Sequence, residues 1–370
     1  MRDADIMKRE LFVFAGQSNM MGACVYPAKE QIVFDRSYEY LHKPKRAGNT
    51  TGAFKKEGFP CGEFSYIDFD FAYSEGRVVD GKSTVEDYAK TCHFAPSMCN
   101  LQSKDNNTVY EFKFFSEYNS PFATSLAPFV VKGWENLNRQ CLYTNISKGG
   151  VSITHFFNEK MVERLNYLIK EYNDKNGKQL EKEMVGKNSA DYFFEKVTDF
   201  ILDSEEVFSN DDLTEKCFFW LQGETDFKFS KELYKLYLTV LWEELKKIGF
   251  TKFFCIRVGY WFYDEIVNVM QAQEEFCEEN IDAYMLTRKM SFIPMLCQDR
   301  KKWYGEETEG LLDCRDSFFG FENHHINEKG FKIVAEAALL NMKRLLIDRE
   351  DLILEDELCL LMKNRIKKHP

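Results

Sequence analysis

The chain predicts an α/β protein built on a parallel sheet with helices on both faces. Three observations predict it. Five short apolar runs recur along the sequence, stretches of helical periodicity lie between them, and most of the runs end at glycine. Runs this short, rich in aromatic and branched residues, suit strands buried on both faces.

The first run is Leu11-Phe12-Val13-Phe14, ending at Ala15-Gly16. Cys141 to Ile146 is the second, ending at Gly149-Gly150. Cys217 to Leu221 is the third, ending at Gly223, and Phe253 to Val258 the fourth, ending at Gly259. Asp282 to Thr287 is a weaker fifth. Helical spacing marks Phe122 to Trp134, Met161 to Tyr172 and Phe331 to Leu346. The clearest helix follows Ser230, a good N-cap. Leu233, Tyr237, Val240, Leu241, Leu245 and Ile248 form one apolar stripe, and Gly249 ends it.

Two stretches break the rhythm. Residues 26–119 carry many aromatic, Gly and Asn residues without clear periodicity and read as a partly ordered insertion near the site. Residues 174–212 read as a more polar insertion with a short helix at Tyr192 to Leu202. The expected organisation is one domain over 1–348. A tail, 349–370, reads as a terminal helix that docks on the body or a partner, which leaves self-association open. No internal repeat or low-complexity segment is evident.

Composition narrows the function classes. With 370 residues, 44% of them hydrophobic, the chain can bury a sizeable core without staples. Sixty acidic against 49 basic residues give a net charge of −11. Such a surface argues against nucleic-acid and anionic-membrane partners. The 11 cysteines are irregularly spaced, with no C-x-x-C pair, and read as reduced, mostly buried thiols. Cys92 and Cys99 around His93 do not fit zinc spacing. No apolar stretch suits a signal peptide or a membrane span, so a cytoplasmic protein is expected.

Four segments carry candidate chemistry. In Phe14-Ala15-Gly16-Gln17-Ser18-Asn19-Met20 a buried strand enters a tight turn with Ser18 at its tip. Serine there suits a nucleophile whose own N–H helps bind an oxyanion, although a helix-capping serine fits equally well. Ser147-Lys148-Gly149-Gly150 lets a backbone N–H approach a ligand, or forms a plain strand–helix turn. In Trp220-Leu221-Gln222-Gly223-Glu224, Gln222 can donate to developing negative charge and Glu224 can orient neighbours. Glu322-Asn323-His324-His325 places a carboxylate three residues before an imidazole, the parts of a general base and its orienting acid. A His-His pair also suits a metal, but no third ligand is evident.

Together these segments resemble the SGNH hydrolase superfamily, and within it the sialate O-acetylesterase and acetylxylan esterase branch, carbohydrate esterase family six. That branch carries G-Q-S-N-M, glycine, W-x-Q-G-E and D-x-x-H blocks in this order. The resemblance spans roughly Leu11 to Leu346. It implies a three-layer α/β/α sandwich, flavodoxin-like, around about five parallel strands. It also implies Ser18 as nucleophile, His325 as general base, and an oxyanion hole made of the Ser18 N–H, the Gly150 N–H and the Gln222 side chain. Gln17, Asn19, Gly149, Glu224 and His324 would orient substrate or support the site. The implied substrate is an acetylated carbohydrate or small ester, with no metal or organic cofactor. One departure stands out: Glu322 occupies the position of the usual Asp, with Asp316 as an alternative orienting acid. Two other readings remain open at this point: a glycan-binding protein with a degenerate site, and a short-chain lipase or thioesterase.

Overall fold

The computed structural model describes residues 9–21, 37–40, 94–95, 102–104, 109–111, 125–147, 150–177, 180–181, 190–207, 213–259, 265–291, 326 and 328–354. The expected α/β sandwich is the fold observed. All five apolar runs are strands of one sheet: β1 (Arg9–Gly16), then β6 (Gln140–Ser147), β7 (Leu213–Leu221), β8 (Lys252–Ile256) and β9 (Ala283–Thr287). Two short strands of the 26–119 segment, β2 (Tyr38–Tyr40) and β3 (Phe94–Ala95), extend the sheet at one edge. Strands β4 (Gln102–Lys104) and β5 (Val109–Glu111) pair separately as an antiparallel hairpin. The large sheet runs β3-β2-β6-β1-β7-β8-β9 and is parallel except for β3.

Counting the five long strands alone, the order is 2-1-3-4-5. The chain leaves β1 toward β6, then crosses back over β1 to β7 and continues outward. Right-handed crossovers put the helices of these two directions on opposite faces. The aromatic side chains bear this out. Phe12, Phe14 and Phe219 pack together on one face, with Trp134 of α2 (Leu126–Asn136) against Phe12 at 6.0 Å. Phe218 and Phe253 point to the other face. They meet Phe193 of α4 (Ala190–Val207), Trp242 of α5 (Lys231–Lys247) and Phe276 of α6 (Ile266–Glu279). Alternation along each strand thus feeds two cores from one sheet.

Helix signals read from sequence hold in type and shift at their ends. Ser230 caps α5, its hydroxyl accepting from the Leu233 N–H at 3.2 Å. The 174–212 segment is more regular than expected. Helix α3 (Glu159–Asn176) runs into it and stops at left-handed Gly177, and α4 spans 18 residues where a short helix was expected. These helices are the crossover from β6 to β7 itself. The last helix among the described residues, α7 (Glu328–Lys343), ends in a π turn, Arg344–Asp348. Residues 351–354 are not helical. Asn341 of α7 pins them by exchanging two hydrogen bonds with the backbone of Ile353. Among the described residues, no helix is long and apolar enough to cross a membrane.

Candidate active site

In an open parallel sheet, ligands bind beyond the carboxyl ends of the strands, where the strand order reverses. Here that point lies between β1 and β7. The ladder aligns Gly16 with Ser147 on one side and Leu221 on the other. The residues that follow all three strands therefore leave the sheet at one level. Ser18 opens α1 (Ser18–Met21), a single turn directly after β1, and is half-buried. Its hydroxyl makes no hydrogen bond among the described residues.

The turn bearing Ser18 is held on every side. Gln17 donates its N–H to Leu221 O at 3.2 Å, and its side-chain oxygen faces Gln222 Nε2 and the Thr225 N–H. Asn145 of β6 donates to Met20 O at 2.9 Å, and Ser147 steadies Asn145 at 2.6 Å. Asn19, 1% exposed, makes the contact of longest reach. Its Nδ2 donates to Glu224 Oε1 at 2.9 Å, and its Oδ1 accepts from the Ile326 N–H at 3.2 Å. One buried amide next to Ser18 thus joins the Gln-Gly-Glu turn to the residue that follows His325 in the chain.

Gln222 is fully buried, and its amide is oriented at both ends. The oxygen accepts from the Tyr234 hydroxyl at 2.6 Å. The nitrogen donates to Asp226 Oδ2 at 2.7 Å and faces Val151 O at 3.1 Å and Gln17 Oε1 at 3.3 Å. One of its two protons belongs to Asp226. The other sits between the two longer contacts, and only that proton could be transferred to a different acceptor. Gly150 is exposed with φ +66°, in left-handed space, where glycine carries no Cβ penalty. Its neighbour Val151 provides the carbonyl that faces Gln222.

Glu224 retains some exposed surface, but its Oε2 is buried without a hydrogen-bond partner among the described residues. Burial raises its pKa from the ordinary 4.5 to about 7; the Asn19 bond and its own backbone N–H oppose the rise, and nearby Asp226 adds to it. The folded state therefore holds a proton on Glu224 that the unfolded chain has lost above pH 4.5. The stability tied to that proton is fully present below about 4.5 and is lost as pH rises to about 7. Glu224→Gln, which mimics the neutral acid, should match the wild type in urea unfolding at pH 4. At pH 8 it should exceed it by roughly 3 kcal/mol. An equal difference at both pH values would refute the raised pKa.

Of the residues singled out in the sequence, Gln17, Ser18, Asn19, Gln222 and Glu224 meet at this edge, and the loop after Gly150 is bonded to Gln222. Gly149, Glu322, His324, His325 and the alternative Asp316 lie outside the described residues. The sequence reading assigned no role to Asp226, although its position four residues after Gln222, in the same turn, was a usable signal. Among the described residues, no group of three or more His, Cys, Asp or Glu side chains is placed to hold a metal ion.

No protein-family model matches the chain, and no curated protein matches it. Among solved structures, the chain is similar to a protein from Arabidopsis thaliana, with a TM-score of 0.40 and 12% identity over 92% of this chain and 99% of that one. It is also similar to a carbohydrate acetylesterase from Xanthomonas citri, with a TM-score of 0.42, 10% identity and 90% of this chain covered. The chain spans 56% of the length of that second structure.

Proposed function

We propose that the protein is a serine esterase that removes acetyl or other small acyl groups from a hydroxylated substrate of the carbohydrate class. The observation that carries this reading is the Asn19 bridge. It ties the turn bearing Ser18 to the Gln-Gly-Glu turn and to Ile326, next in sequence to His325. Two of the segments that resemble the esterase blocks thereby approach each other at the carboxyl edge of the sheet, and Ile326 comes with them.

In this reading Ser18 Oγ attacks the acyl carbonyl while His325 takes its proton, with Glu322 accepting the other imidazole N–H. The tetrahedral oxyanion is received by the N–H groups of Ser18 and Gly150 and by the second amide proton of Gln222, which leaves Val151 O for it. The alcohol departs with the proton from His325. Water then attacks the acyl-enzyme, again through His325, and releases acetate.

The test is release of acetate from acetylated mono- and oligosaccharides, run beside p-nitrophenyl esters of rising chain length. Turnover of the acetylated sugars with a preference for acetyl is expected. Binding of acetylated sugars without acetate release would overturn the catalytic assignment. A preference for long acyl chains would move the protein to the lipase or thioesterase class.

A further inference from the structure

We infer that Asp226 is a positioning residue that sets the polarity of the Gln222 amide and fixes the Gly150-bearing loop against it. The inference rests on the esterase reading and deepens it. Asp226 is 2% exposed, and its backbone is fixed in a tight turn: its N–H donates to Gly223 O at 3.1 Å and its carbonyl accepts from the Phe229 N–H at 2.8 Å. One oxygen of its carboxyl, Oδ2, accepts twice. It takes the Gln222 Nε2 proton at 2.7 Å and the Ile153 N–H at 2.7 Å. Ile153 lies three residues after Gly150, at the start of a 3₁₀ turn capped by Ser152.

The two bonds act on different parts of the oxyanion hole. A primary amide can be turned over at little steric cost, since its oxygen and nitrogen are nearly the same size. Turned over, Gln222 would aim its oxygen at Val151 O and Gln17 Oε1 and would repel an oxyanion. Asp226 Oδ2 only accepts, so it requires the orientation with nitrogen toward it and the site; the Tyr234 hydroxyl, closer to Gln222 Oε1 at 2.6 Å than to Gln222 O at 3.0 Å, completes that arrangement. The second bond holds the start of the 3₁₀ turn to that same oxygen, so the Gly150 loop and the Gln222 amide share one fixed reference point. Because the Gln222 and Ile153 donors share one oxygen, Oδ2, an asparagine carbonyl placed there can accept the same two hydrogen bonds.

Asp226→Ala, Asp226→Asn and Ser18→Ala, assayed with p-nitrophenyl acetate and checked for folding by circular dichroism, test the role. Asp226→Ala is expected to lower kcat about 10²-fold, the usual effect of disabling one oxyanion donor, with KM changed less than about threefold. Asp226→Asn is expected to restore kcat to within about tenfold of wild type. That split is the signature of positioning, because a general loss of structure would not be rescued with KM unchanged. A folded Asp226→Ala with wild-type kcat overturns the inference, as does an Asp226→Asn no better than Asp226→Ala. Should Asp226→Ala fail to fold, Asp226→Glu carries the test. Its carboxylate is displaced by one methylene, so a loss of at least about tenfold in kcat is expected, and wild-type kcat overturns the inference. The outcomes for the two readings separate. Activity retained in Ser18→Ala would defeat the esterase assignment itself, whereas an inactive Ser18→Ala beside a fully active Asp226→Ala defeats only the role of Asp226.

Discussion

Ser18→Ala should lose at least about 10⁴-fold in esterase turnover while unfolding at nearly the wild-type denaturant concentration. The two halves of this result have separate causes. The hydroxyl is the only group at the tip of the β1 turn that can form an acyl bond, so its removal leaves no route to the covalent intermediate. The backbone N–H of residue 18 remains, and acetylated sugar should still bind. The fold is spared because the hydroxyl has no hydrogen-bond partner among the described residues. The turn is held instead by Gln17, Asn19 and Met20 O. Rapid-quench detection of acetyl-enzyme, with urea unfolding on the same samples, checks both halves. A variant that retained burst-phase acylation would remove Ser18 from the mechanism, and one that lost stability together with activity would make it a structural residue.

The second large effect is expected at Gly16. A Cβ built there falls 2.0 Å from Leu221 O and 2.7 Å from Leu221 C, both backbone atoms at the end of β7. Neither can turn aside as a side chain does. Gly16→Ala must therefore pry the ends of β1 and β7 apart and break the Gln17 N–H bond to the same Leu221 carbonyl, 3.2 Å in the native turn. A loss of about 3 kcal/mol or more in urea unfolding is expected, at the severe end for a single added methyl. Turnover should fall further than the folded fraction does, because the displaced strand ends carry Ser18 and Gln222. Gly150→Ala offers the contrast. Among the described residues nothing lies within 4 Å of the added Cβ, and the left-handed backbone is what resists. Its cost should stay near 1 kcal/mol.

The strands were the most legible part of the sequence, for a physical reason. A strand covered on both faces must be apolar throughout, and Leu11 to Ala15 and Phe218 to Leu221 are fully buried. Helix α5 was equally plain because its buried stripe and its Ser230 cap coincide. Helix α6 went unread: Ile266, Val269, Met270 and Gln273 share its buried face, but it begins after Glu265, which makes no side-chain cap. Strands β2 to β5 are two or three residues long, too short for any alternation to register. At the site, the types and order of the blocks could be read, but not the way their polar groups pair. Nothing in a linear string says that Asn19 meets Glu224 and Ile326, or that one Asp226 oxygen serves two donors. Those pairings follow from strand order and ladder register, which only the folded sheet supplies.

The Asn19 to Ile326 bond closes a loop across 307 positions of chain. Closing so long a loop costs entropy, so this bond is expected to form late in folding. On the esterase reading, a nascent chain can contain Ser18, the glycine loop and the Gln-Gly-Glu turn in full and still be inert. On the same reading, hydrolysis is expected only once α7, which begins two residues after Ile326, has docked.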